Sequence, residues 1–122
     1  MRFKREESFR FSFGKPILAF FTIDEINGNA VETSEGTAKL VDVSPNGLKL
    51  CTSLDIPFSQ QKPSKVSIRF LLIEIEYKVH GEIVWKDNHG ENYFYGIHFS
   101  IDENMQEKLI TDIKKCARET SV

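Results

Sequence analysis

The chain has 122 residues, 40% hydrophobic and 28% charged, with a formal net charge of −2. That length suits one domain able to bury roughly two thirds of its unfolded surface, and the slightly acidic balance excludes a general affinity for nucleic acid or anionic membrane. Met1 to Arg10 is charged and lacks the apolar core of a signal peptide. The longest strongly apolar run, Ile17 to Phe21, is far below the ~20 residues that span a bilayer. Cys51 and Cys116 have neither the number nor the spacing of a metal site or disulfide framework. A cytoplasmic protein with reduced thiols is expected, with no membrane insertion.

Four of the 16 Lys and Arg residues lie in the first ten positions, as Arg2, Lys4, Arg5 and Arg10. Residues 1–14 mix basic, acidic and aromatic types without a sustained period, which predicts a flexible basic arm; Phe9, Phe11 and Phe13 alternate as a strand would, so pairing can begin near Phe9. Pro16 to Ile26 reads as a strand, and Asn27-Gly28-Asn29 as a tight hairpin turn whose central residues need positive φ. Ala30 to Val43 returns, with an interruption at Ser34-Glu35-Gly36. Leu54 to Pro63 is a loop, with Phe58 folded under it.

From Ser64 the apolar positions are Val66, Ile68, Phe70 and Leu72, and then parity changes to Ile73, Ile75, Tyr77 and Val79. One regular strand cannot change parity without turning its apolar set to the wrong face, so a bulge or tight reversal falls near Leu71 to Ile73. The second segment continues through Gly81, Ile83 and Trp85 in the same parity. Lys86 to Gly90 reads as a turn and Asn92 to Phe99 as the last strand. Ser100-Ile101-Asp102-Glu103 has the S-x-x-E spacing of a capping box, which predicts a helix over about 101–118. Its apolar stripe is Met105, Leu109, Ile110, Ile113 and Cys116 or Ala117; Ile110 and Ile113 are expected to be buried and Lys114 exposed.

Asp42-Val43-Ser44-Pro45-Asn46-Gly47 is the stretch around which the rest is organised. Ser44, Pro45 and Asn46 suit successive corners of a type I turn, and Gly47 is expected to close it through a bulge at positive φ. Asp42 and Ser44, two apart in an extended strand end, present one acceptor-rich edge. Catalytic readings are poor. His80, His89 and His98 lack metal-ligand spacing or a local nucleophile partner, and Glu74 and Glu76 read as a solvated strand face. No enzyme activity, metal site or cofactor is expected.

These residues resemble the PilZ family, the receptor domains for cyclic di-GMP. The family pairs an N-terminal R-x-x-x-R, often R-R-x-x-x-R, with a later D/N-x-S-x-x-G. The second motif is complete as Asp42, Ser44 and Gly47. In the first, Arg5-Glu6-Glu7-Ser8-Phe9-Arg10 keeps the outer arginines and has Glu6 at the inner one. The resemblance extends to Gly81-Glu82-Ile83-Val84-Trp85 and Tyr95-Gly96-Ile97-His98-Phe99. It implies an all-β fold, a six- or seven-stranded antiparallel barrel with a C-terminal α-helix packed on it, spanning residues 15–122 after an arm over 1–14. It further implies binding of cyclic di-GMP through Arg5, Arg10, Asp42, Ser44 and Gly47. The arm would order over the ligand and signal to an unidentified partner protein, since no linker or second domain is visible. The alternative is a degenerate PilZ domain that binds a partner protein without nucleotide. Nucleic acid is not an expected partner.

Overall fold

The computed structural model describes residues 10–120, with backbone alone for 118–120. Among the described residues seven strands precede one helix: β1 (Phe11–Ile26), β2 (Asn29–Ala30), β3 (Gly36–Ser44), β4 (Gly47–Thr52), β5 (Lys65–Leu72), β6 (Ile75–His89), β7 (Asn92–Phe99) and α1 (Glu103–Thr120). All pairings are antiparallel, in the order β2-β1-β3-β4-β7-β6-β5, and β1 also pairs with β5. Six strands therefore close into a barrel, and β2 adds a short seventh beside β1. The expected arm over 1–14 divides: Phe11 to Gly14 belong to β1, and residues 1–9 lie outside the described residues.

Alternation puts one face of each strand inside. Ala19, Leu40, Val43, Ile68, Ile83 and Tyr95 are wholly buried, with Phe70, Phe99 and Leu72 close behind. Tyr95 keeps its polar end satisfied: its hydroxyl donates to Leu54 O at 2.8 Å and accepts from Ile56 N at 2.7 Å. The Lys86 ammonium donates to Ile56 O at 2.9 Å and pairs with Asp55. These bonds draw the segment 53–64 against the barrel, with Phe58 packed on the core as expected.

The parity change is a tight reversal, one of the two forms expected there: Leu72 pairs with Ile75 across Ile73 and Glu74, whose φ values are +49° and +67°. Three other local expectations need correcting. Glu74 therefore sits in a turn, and Glu76 alone remains on the strand face, bonded to Arg69 at 3.3 Å. Strand β6 runs on to His89, so the turn is Gly90-Glu91 and Asp87 to His89 are strand. The helix is capped by Asp102, whose carboxylate accepts from Met105 N at 2.8 Å, so Ser100 is outside it.

Helix α1 lies on the barrel through Leu109 and Ile113, one turn apart and almost fully buried. Ile110 is half-buried at the edge of that contact, less than expected, and Lys114 is exposed. Sequence periodicity did not anticipate Asp112, which is 3% exposed. Its carboxylate accepts from the Tyr77 hydroxyl at 2.5 Å and from Lys108 at 3.1 Å. Burial pushes the Asp112 carboxyl up, but the bonds from Tyr77 and Lys108 outweigh it and hold the group below its usual range. Burial and the same bond push the Tyr77 phenol up, so it remains a donor.

Two predictions follow from these contacts. Tyr77→Phe leaves a buried carboxylate short of a donor and should cost about 1–3 kcal/mol in denaturant unfolding. The folded Asp112 value lies below the unfolded one. Its contribution is thus present above about pH 3.9 and lost as pH falls through the folded value. The difference between wild type and Tyr77→Phe should shrink in that acid window; an undiminished gap would show that Asp112 is not the partner that matters. Separately, Ile73 and Glu74 hold left-handed backbone that L side chains resist by about 1–2 kcal/mol per residue. The double change Ile73→Asn, Glu74→Gly should therefore raise stability by about 1 kcal/mol after the added chain entropy of glycine. A lower melting temperature would count against strain at that turn.

Candidate functional site

A strand's side chains alternate with period two, so Leu40 inside would place Asp42 inside as well. It does not, because β3 carries an extra residue. Leu40 pairs with Leu50 and Asp42 with Lys49, leaving Val41 unmatched. That bulge turns Val43 inward, where it is fully buried, and Asp42 onto the outer face beside Lys49. Strand β6 repeats the device. Ile83 pairs with Ile97 and Trp85 with Gly96, so Val84 is the extra residue. Trp85, expected to continue inward, is instead on the outer face and 40% exposed.

The two bulges bring Asp42 and Trp85 to opposite sides of one cleft. It measures about 440 Å3 and is lined by Arg10, Asp42, Gly47, Lys49, Trp85 and His98, among others. A second hollow of about 490 Å3 shares Lys49 and Trp85 and extends along β6 and β7 past Phe94 to His89. The floor is glycine. A Cβ on Gly96 would lie 1.9 Å from Trp85 Nε1, and one on Gly47 would lie 2.9 Å from Ile97 O. Gly96 thus leaves room for the indole to pack against the sheet.

Of the residues singled out from sequence, Arg10 and Asp42 meet as an ion pair. Their side chains are unequally placed: Asp42 is nearly enclosed and Arg10 about half exposed. The register explains the meeting, since Phe11 pairs with Val43 and Ser12 with Asp42, which sets Arg10 beside the end of β3. Gly47 lines the cleft, but not for the reason expected. Ser44 and Gly47 pair directly across a loop of Pro45 and Asn46, and Gly47 has no positive φ. Its value is close approach, not turn closure. Ser44 is 4% exposed and its hydroxyl donates to Gly47 O at 3.2 Å, inside the hairpin. Arg5 lies outside the described residues.

The turn is also tied to its surroundings. Asn46 O accepts from Phe99 N at 3.0 Å, and its side-chain oxygen accepts from the Gln106 amide of α1 at 3.0 Å. Sequence reading missed Lys49, Trp85 and Gly96. The available signal was an isolated glycine at position 96 inside a strand pattern, which marks a close backbone approach.

A second polar group lies elsewhere on the barrel. Ser67 Oγ is 2.6 Å from Asp24 Oδ2 and 2.7 Å from His80 Nδ1, beside a hollow of about 470 Å3. The order of these groups argues against nucleophilic catalysis. In a working triad the imidazole stands between hydroxyl and carboxylate; here the hydroxyl is in the middle, with its one proton shared between two acceptors or given to Asp24. Among the described residues no group of three or more His, Cys, Asp or Glu is placed to hold a metal ion. No helix among them is long and apolar enough to cross a membrane.

Comparison with solved structures finds the same fold at low identity. The Bacillus subtilis inhibitor of motility, MotI/DgrA, superposes with a TM-score of 0.63 at 13% identity, covering 91% of this chain and 49% of that one. The PilZ domain of CeSA from a cellulose-synthesizing bacterium gives 0.55 at 17%, covering 94% and 100%. Escherichia coli YcgR in complex with c-di-GMP gives 0.58 at 14%, covering 93% and 47%. The chain thus spans about half the length of the MotI/DgrA and YcgR chains. No curated sequence matches it. Residues 4–115 match the PilZ domain, and with the closed six-stranded barrel and its single C-terminal helix, the chain belongs to the PilZ family.

Proposed function

We propose that the chain is a cyclic di-GMP receptor. It binds the ligand in the cleft between Asp42 and Trp85, orders its N-terminal arm over it, and passes the change to a partner protein. The observation that carries this reading is the Arg10–Asp42 pair, set at the rim of a glycine-floored cleft by residues 32 apart in sequence. A cyclic dinucleotide offers two phosphodiesters and two guanines. An arginine fork donates in pairs to phosphate or to guanine O6 and N7. A carboxylate accepts from guanine N1–H and the N2 amine, which adenine lacks. The Asp42 contact with Arg10 holds the guanidinium near its working position and reduces the ordering cost of binding. Gly96 seats the Trp85 indole, whose exposed part can meet a planar base, Gly47 leaves room beside it, and Arg5 would close the site from the arm. The Ser44 hydroxyl would reach the ligand by giving up its bond to Gly47 O. No cofactor or metal enters, and no bond is made or broken. YcgR, solved with c-di-GMP, supports the ligand class.

A second reading, a degenerate domain that binds a partner protein without nucleotide, is favoured by one observation: Glu6 stands where the family has an arginine. A carboxylate near phosphate opposes binding unless it turns away or pairs with a neighbouring cation.

Calorimetric titration with cyclic di-GMP, with cyclic di-AMP and GTP as controls, separates the two. Wild type should bind cyclic di-GMP selectively. Arg10→Ala should lose about hundredfold in affinity, as expected for about 1.5–3 kcal/mol of charged bidentate contact. Asp42→Ala should weaken binding and narrow the gap between cyclic di-GMP and cyclic di-AMP. Glu6→Arg should strengthen it. If only Glu6→Arg protein binds, the degenerate reading holds; if neither binds at millimolar ligand, the nucleotide reading is wrong.

A further inference from the structure

Lys49 belongs to no recognised motif of the sequence, yet it occupies the middle of the cleft. On β4 it stands opposite Asp42 of β3 on one side and Gly96 of β7 on the other. The carboxylate of Asp42 is taken by Arg10. The Lys49 ammonium lies instead toward the aromatic side, 6.0 Å from the centre of the Trp85 ring and 5.4 Å from that of Phe94. Among the described residues it forms no ion pair, whereas Lys65, Lys86 and Lys108 each have a carboxylate partner. It lines both hollows of the outer face.

Ring faces attract the ammonium and orient it, but they carry no net charge and do not neutralise it. The cation is therefore held over the cleft floor with its charge unspent. Its stem is half-buried on a central strand of the barrel, so part of the ordering entropy is already lost before an anion arrives. A lysine is a compact charge with three rotatable donors and tolerates varied approach to a phosphate oxygen. The opposing groups are few: Asp42 is paired, His98 flanks the cleft, and Asp87 lies in the outer hollow.

We propose that Lys49 is a phosphate-binding residue of this site, supplying from the barrel the cation that Glu6 withholds from the arm. The inference rests on the nucleotide reading above and names a residue that reading does not require. It makes the anion contact part of the barrel's own surface.

Calorimetric titrations of Lys49→Met, Lys49→Arg and the double variant Glu6→Arg, Lys49→Met test it. Methionine keeps an apolar stem over Trp85 and Phe94 and removes only the charge. Lys49→Met should weaken cyclic di-GMP about tenfold or more, and weaken any cyclic di-AMP binding by the same factor, because the phosphodiester is common to both. Lys49→Arg should stay within about threefold of wild type, and Glu6→Arg should recover most of the loss in the double variant. Unchanged far-ultraviolet circular dichroism and melting temperature establish that the fold is intact; Lys49→Gln replaces the methionine variant if it folds poorly. Wild-type binding with Lys49→Met unaffected overturns the inference and leaves the function standing. Binding by Glu6→Arg alone also overturns it, since Lys49 then fails to replace the arginine. Binding by neither protein removes both.

Discussion

Two inserted residues decide which side chains this barrel turns away from its interior. A strand without interruption keeps its inward set inward along its whole length. Val41 in β3 and Val84 in β6 each break that rule once. Downstream of the first, Asp42 faces out and Val43 takes the core position. Downstream of the second, Trp85 faces out and Lys86 turns toward the loop it bonds at Asp55 and Ile56. Both bulges fall in closed-barrel strands whose neighbours are paired on each side, so the reversal cannot be relieved by fraying. The cleft owes its chemistry to this constraint: without the bulges, a carboxylate and an indole would be directed into an apolar interior.

Barrel closure supplies the other half of the site. β1 bonds to β3 on one edge and to β5 on the other. Between Ser12 and Ile17 it loops away from β3, which spends only Val41 over the same stretch. This excursion lets Phe13 reach the core while Lys15 and Pro16 remain exposed. It also returns Phe11 and Ser12 to register with Val43 and Asp42, which is what sets Arg10 beside its carboxylate. A guanidinium from near the start of the described chain and the Asp42 carboxylate meet because the β1–β3 ladder resumes beyond this excursion.

The turn after Asp42 is a junction as well as a hairpin tip. Asn46 bonds β7 through its backbone and α1 through its side chain. Any rearrangement of Ser44 to Gly47 therefore bears on the first turns of the helix, which is also anchored through Leu109, Ile113 and the buried Tyr77–Asp112 contact. The helix is the element on which an event in the proposed site would act most directly.

Local chemistry determined the elements of this protein. Period-two alternation marked the strands, Asn27-Gly28 and Ser44-Pro45-Asn46 marked turns, and the leucine and isoleucine spacing near 109–113 marked the helix. These signals depend on neighbours in sequence, and a single chain carries them in full. The motif residues were also legible, since Asp42, Ser44 and Gly47 keep a fixed local spacing. What the tertiary structure decided was orientation and company. A bulge adds a residue without a sequence mark of its own: Val41 and Val84 look like any strand valine, and only the partner strand's register shows that they are unmatched. The Ile73-Glu74 reversal was hidden because its residues resist the backbone they adopt. Nothing in the local sequence marks Asp112 as buried, because its donor, Tyr77, lies 35 residues away. Lys49 became interesting only when β6 laid Trp85 across Gly96 beside it. Pairing partners are chosen by the closed sheet as a whole, and no window along the chain contains that information.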